Sequence, residues 1–285
     1  LSLGTTDLGT SPLFSRTALR IVGTDGNEGS AADATLGGDA GWRLIGPPVT
    51  NSTVRDLSSG ARDPFVLTDL PLGHMFYEWD DTIDNRSGPD GAWTPLTQYS
   101  TAFDNGRGHL LFLFDDTEAP LDPGLTLDVE SKKVPTGDQS VSSLNEDARY
   151  HVLANPYNSP FDLTSLSESG TSLGSGNTDF QTTVQIWDGG TTSGNDQSQA
   201  GSYLDVPVNT TANSGADRMA PDGDLLSAWQ GFLVERTSPG TGATSLTFNY
   251  DGKTTGQRSI IGSKTRDPDP SDFARLGFKL TVTND

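Results

Sequence analysis

Short apolar runs in which every second residue is hydrophobic, each closed by glycine, proline or asparagine, recur from one end of this chain to the other. Alternation with period two is the mark of a strand with one covered face, and no segment holds a helical period for long. The pattern predicts strands at "TALRIVG" (17–23), "GWRLIG" (41–46), "HMFYEW" (74–79), "GRGHLLFLFDD" (106–116) and "LTLDVE" (125–130). Further along it predicts "YHVLANP", "TTVQIWDGG" (182–190), "YLDVPV" (203–208), "WQGFLVERT" (229–237), "SLTFNYDG" (245–252) and "ARLGFKLTV" (274–282). In "HMFYEW" the alternation puts Met75, Tyr77 and Trp79 on one face and His74, Phe76 and Glu78 on the other. "LTLDVE" is expected to pair with the apolar strand 106–116 through the "TEAPLDPG" turn.

The stretch "YHVLANPYNSPFDL" (150–163) shows how a strand is stopped. Pro156 and Pro160 lack the amide hydrogen that a continuing ladder needs, so the strand ends near Asn155, and the asparagine side chains are expected to bond turn amides. A similar line, "GWRLIGPPVTNSTVRDL" (41–57), occurs earlier. In both halves the order is strand, proline turn, Asp-Leu, glycine-led apolar strand, alternating strand, with partners about 110 to 120 residues apart, a spacing suited to a duplicated β-module. The expected fold is therefore all-β, a jelly-roll-like β-sandwich built from two related halves, 17–131 and 148–285, within one region spanning 1–285. Residues 1–16 form an N-terminal extension, apolar at Leu1, Leu3, Leu8, Leu13 and Phe14, which is expected to fold back on its own sheet or join a neighbouring copy.

Composition sharpens this picture. The formal net charge is -20, from 38 acidic and 18 basic residues, with Asp dominating the acids and Arg outnumbering Lys. Such a surface repels nucleic acid and suits concentrated salt or a calcium-loaded exterior. Cysteine is absent, so packing or hard-cation binding must hold the fold. No run reaches the roughly 18 apolar residues of a membrane helix, so no membrane insertion by a helix is expected. The chain opens at Leu1 and stops in "LTVTND", which reads as a trimmed part of something longer.

Candidate chemistry is sparse. "GTSLG" (170–174) has the G-x-S-x-G form of a nucleophile elbow at Ser172, but it lies in a Ser/Gly stretch with no His after it. His74, His109 and His151 sit far apart in strand-like segments, as sheet histidines do. Asp80, Asp81, Asp115 and Asp116 at strand ends could pair as a glycosidase needs, although strand-end Asp is ordinarily a turn residue. Calcium is the cation that the acidic loop "DDTIDNRSGPDG" would take, through Asp80, Asp81, Asp84, Asn85 and Asp90. No other cofactor is implied. Trp79, Trp93, Tyr99, Trp187 and Tyr203 lie near loop edges and are candidates for a sugar-stacking platform, whereas Trp42 and Trp229 read as core.

Taken in order, "GWRLIGPPV", "GRGHLLF", "YHVLANPYNSPFDL", "WQGFLV", "SLTFNY" and "ARLGFKLTV", covering about residues 41 to 283, resemble a β-rich module of large secreted proteins that Bacteroidota- and Rhodothermota-like bacteria export by type IX secretion. The resemblance implies a non-catalytic unit at the cell surface, and the acidity suggests a halophilic member. The C-terminal sorting domain expected of such proteins is not visible in these residues, and "LTVTND" breaks off where members of that family continue. The function so expected is a secreted structural or adhesive module of a larger extracellular assembly, partnered by copies of itself or neighbouring modules, without enzymatic activity. The alternatives are a carbohydrate-binding module of a secreted hydrolase, with polysaccharide as partner, and, less favoured, a glycosidase.

Overall fold

The structure is a computed structural model that describes residues 14–21, 41–58, 76–83, 92–113, 125–188, 202–208, 225–240 and 242–254. The chain is all-β and sandwich-like. The first half contributes β1 (Phe14–Ile21), β2 (Gly41–Ile45), the short helix α1 (Val54–Ser58), β3 (Phe76–Trp79), β4 (Trp93–Pro95), β5 (His109–Leu113) and β6 (Leu125–Lys133). The second contributes β7 (Gln139–Val141), β8 (Tyr150–Ala154), β9 (Phe161–Asp162), β10 (Leu166–Glu168), β11 (Thr171–Ser172), β12 (Phe180–Asp188), β13 (Ser202–Pro207), β14 (Leu225–Leu226), β15 (Gly231–Arg236) and β16 (Leu246–Phe248). The expected strand at 274–282 and residues 1–13 of the N-terminal extension lie outside the described residues.

Two four-stranded antiparallel sheets form the middle of the molecule, in the orders β2-β5-β3-β4 and β8-β15-β12-β13. Their ladders match residue for residue. Leu44 faces Leu110 and Tyr77 faces Leu110 in the first sheet, as Val152 faces Leu233 and Gln185 faces Leu233 in the second. Trp79 opposite Trp93 has its counterpart in Trp187 opposite Tyr203.

The contacts between the sheets are reciprocal. Ile45 bridges to Gln230 and Leu153 to Arg107. The Gly46 amide donates to the Trp229 carbonyl at 3.0 Å, and the Ala154 amide to the Gly106 carbonyl at 2.8 Å. Such an exchange, in which each side offers the other the same patch, is the contact pattern of a two-fold axis. Close approach at this seam requires glycine: a Cβ on Gly108 would lie 2.6 Å from Val152 Cγ1, and one on Gly231 would lie 2.7 Å from Leu44 Cγ. The match extends outward, since β1 pairs with β6 as β7 pairs with β16, with Ile21 opposite Leu125 and Val141 opposite Leu246.

Three apolar layers result. Leu44, Tyr150, Val152 and Leu233 pack between the two sheets. Beyond the first sheet, Ile45, Phe76 and Leu111 pack with Val54 and Leu57 of α1, Val129 of β6, and Trp229. Beyond the second, Leu153, Val184, Ile186, Phe232 and Val234 pack with Leu166, Leu246, Phe248 and Phe161. This layering explains β8, where alternation suggests a half-buried strand but all five residues are buried, because the sheet is covered on both faces.

Two local readings change. β6 pairs with β1 rather than β5, because both edges of β5 are already taken by β2 and β3. The Ser/Gly stretch around 165–176 is not a plain loop: it forms β10, β11 and two 3-10 turns, Leu163–Ser165 and Leu173–Ser175. The proline turn behaves as its sequence suggests. Asn155 Oδ1 accepts from the Tyr157 amide at 3.0 Å, while its Nδ2 donates to the carbonyls of Ser159 and Ser227 at 2.8 and 3.0 Å.

Candidate functional site

Four of the five candidate platform aromatics come together, and Tyr99 does not. Trp79 and Trp93 form an edge-to-face pair with ring centroids 5.0 Å apart, and Trp187 and Tyr203 a second at 4.9 Å. Cross-strand register places each pair on adjacent strands, and all four rings pack against the layer between the sheets. The indole N–H of Trp79 donates to the Tyr150 carbonyl at 3.0 Å, and that of Trp187 to the Trp42 carbonyl at 3.2 Å. Tyr150 and Trp42 occupy matching positions, so the two bonds repeat the same stitch across the seam. Tyr99 packs instead against the layer beneath the first sheet. Trp42 is half-buried and lies edge-on to Tyr77, with centroids 5.4 Å apart.

The acidic loop enters the structure at two of its five candidate ligands. Asp80 Oδ1 accepts from the Thr82 amide and hydroxyl, a turn closed on itself. Asp81 reaches inward: its Oδ2 lies 3.1 Å from His151 Nδ1 and 3.2 Å from Arg107 Nη1, and accepts from the Asn145 amide at 3.4 Å. Burial raises the Asp81 pKa, but the His151 bond, the Arg107 charge and the Asn145 amide together outweigh it and bring the carboxyl to about 2. His151 is 0% exposed, and burial lowers its pKa against the pull of Asp81. Asp84, Asn85 and Asp90 lie outside the described residues, as do His74, Asp115 and Asp116. Among the described residues no three His, Asp or Glu side chains converge as metal ligands do.

The remaining candidates are placed as follows. His109 is buried between Phe76, stacked at 5.8 Å, and Phe103, edge-on at 4.7 Å, and burial drives its pKa down to about 3 with Arg107 adding to the effect. Ser172 donates its hydroxyl to the Thr164 carbonyl at 2.7 Å on a two-residue strand, so the G-x-S-x-G match falls on a hairpin rather than a strand-to-helix elbow.

The sequence reading passes over one feature. Among the described residues, the face of the second sheet that meets the first sheet is covered only in part, and beside the cover lies an open depression of about 190 Å³ lined by Gln181, Thr183, Gln185, Asp205 and Glu235. Gln185 Nε2 donates to Asp205 Oδ1 at 3.0 Å, and Arg149 binds Glu235 Oε1 through Nε at 2.7 Å and Nη2 at 2.6 Å. Alternation in "FQTTVQIWD" marks Gln181, Thr183 and Gln185 as one polar stripe, which by itself reads as a solvated strand face.

No family model, curated protein or solved structure matches the chain.

Proposed function

We propose that the chain is a secreted, cell-surface module with a structural or adhesive role in a larger extracellular assembly, of the type IX-exported kind its motifs resemble, that its two halves descend from one duplicated unit, and that it acts without catalysis. The observation that carries this reading is where the chemically distinctive side chains go. Trp79, Trp187, Asp81 and His151, drawn from both halves, are engaged in fastening one half to the other, and Arg107 holds Asp81 from within the first half while donating to the Ser142 and Ser143 carbonyls of the second. A seam stitched by two indole N–H bonds, reciprocal backbone bridges and the Asp81–His151 bond resists separation of the halves, which is the property a load-bearing surface unit needs. The strongly acidic composition adds solubility and repulsion from polyanions.

Proteinase shaving of intact cells that make the parent protein, followed by immunoblotting for this chain, tests the reading. Loss of the epitope from intact cells is expected. Retention until the cells are lysed would overturn surface display, and turnover of a polysaccharide by the purified chain would overturn its non-catalytic role.

A further inference from the structure

We propose that the depression on the second sheet is a saccharide-binding site that takes a neutral oligosaccharide lying across β13, β12 and β15. The symmetry between the two central sheets is broken at this depression. Because the two central ladders match where residues 184–187 of β12 run as residues 76–79 of β3 do, each of those positions in the second sheet has a twin in the first. Gln185, opposite Asp205 and Leu233, is the twin of Tyr77, opposite Pro95 and Leu110. The same backbone therefore carries Tyr77 and Pro95 on one side and an amide bonded to a carboxylate on the other, although the neighbouring Trp187–Tyr203 and Trp79–Trp93 pairs are retained. Packing of the seam alone does not call for a hydrophilic set at these positions, since the apolar twins serve the same fold.

The chemistry of the set selects the ligand. Two primary amides and a hydroxyl each donate and accept, the carboxylates accept, and Arg149 donates at the edge, which is what vicinal sugar hydroxyls need. Trp187 and Tyr203 stand two residues along from Gln185 and Asp205 on the same faces of their strands, where they pack against the layer between the sheets and bound the polar set at one end without lining the depression. A cation is disfavoured because Asp205 is engaged by Gln185 and Glu235 by Arg149, and the two carboxylates stand on strands separated by β12, about 9.5 Å apart by ordinary strand spacing. The depression is open and smaller than the roughly 300 Å³ at which enclosed small-molecule pockets begin, so it suits part of an extended chain. The site stands on its own geometry and holds whether or not the chain is displayed at a cell surface.

The test titrates the full chain with cellohexaose, xylohexaose, mannohexaose and maltohexaose, following tryptophan fluorescence and amide NMR shifts. At least one should give saturable binding with shifts centred on β12 and β13. Gln185→Ala with Asp205→Ala should weaken it roughly tenfold or more, the loss of one to two good hydrogen bonds, while Ser140→Ala on the far sheet leaves it unchanged. Gln181→Ala, on an exposed side chain, provides a second variant if the double one folds poorly. Absence of binding to all four sugars, binding indifferent to both variants, or a response at these residues to calcium chloride alone would each overturn the proposal.

Discussion

Replacing Trp229 by alanine and by glycine should reverse the usual ranking of those two residues. Trp229 belongs to the second half by sequence but is fully buried, at 0% exposure, in the layer beneath the first sheet. Its backbone has φ +69°, the left-handed region, and its carbonyl receives the Gly46 amide. The matching position in the other half is Gly106, at φ +84°, whose carbonyl receives the Ala154 amide. Deleting a fully buried aromatic side chain costs about 3 to 5 kcal/mol. Alanine keeps the left-handed cost, about 1 to 2 kcal/mol for an L-residue, whereas glycine relieves it and gives back only about 0.5 to 1 kcal/mol through its looser unfolded chain. The glycine variant should therefore be the more stable by about 1 kcal/mol or somewhat less. Urea unfolding followed by far-ultraviolet circular dichroism, with equal slopes for the two variants, measures the difference. Alanine as stable as glycine would refute the left-handed backbone at 229, and a loss below about 2 kcal/mol in both would refute the buried plug.

Stability should decline as pH falls below about 6.5, where His109 binds a proton in the unfolded chain but stays neutral in the fold until about 3. His109→Phe, which copies the twin residue Phe232, should reduce that slope in pH-resolved urea melts and leave the share that comes from His151, whose pKa burial also lowers. A second decline should follow between about 3.8 and 2, because the Asp81 carboxyl is held below its unfolded value and its contribution is lost as it becomes protonated. Asp81→Asn should remove this second step and cost about 1 to 3 kcal/mol at neutral pH, since His151 loses its carboxylate and Arg107 keeps only the Ser142 and Ser143 carbonyls, with an unchanged acid profile counting against the ion pair. With a net charge of -20, Tm should rise between low and molar sodium chloride; a flat response in differential scanning calorimetry would contradict self-repulsion as a load on the fold.

Periodicity and turn chemistry determined much of this molecule without any tertiary information. The strands at "GWRLIG", "YLDVPV" and "WQGFLVERT" are local facts, since alternation and bounding glycines or prolines specify a pleated segment wherever it ends up. The end of β8 before Asn155 is equally local, because a proline without an amide hydrogen cannot extend a ladder in any fold. What alternation cannot specify is which strand lies alongside and what covers each face. β6 went to β1 because β5 had no free edge, and β8 was buried on both sides because its sheet became a middle layer. Asp81 met His151, and Trp229 crossed into the other half's core, across gaps that no local pattern spans. The stripe Gln181, Thr183 and Gln185 looks like any solvated strand face until the register sets Asp205 beside it and Tyr77 at its twin position. Pairing and coverage are properties of the whole chain's competition for edges and apolar faces, so only the assembled tertiary structure decides them.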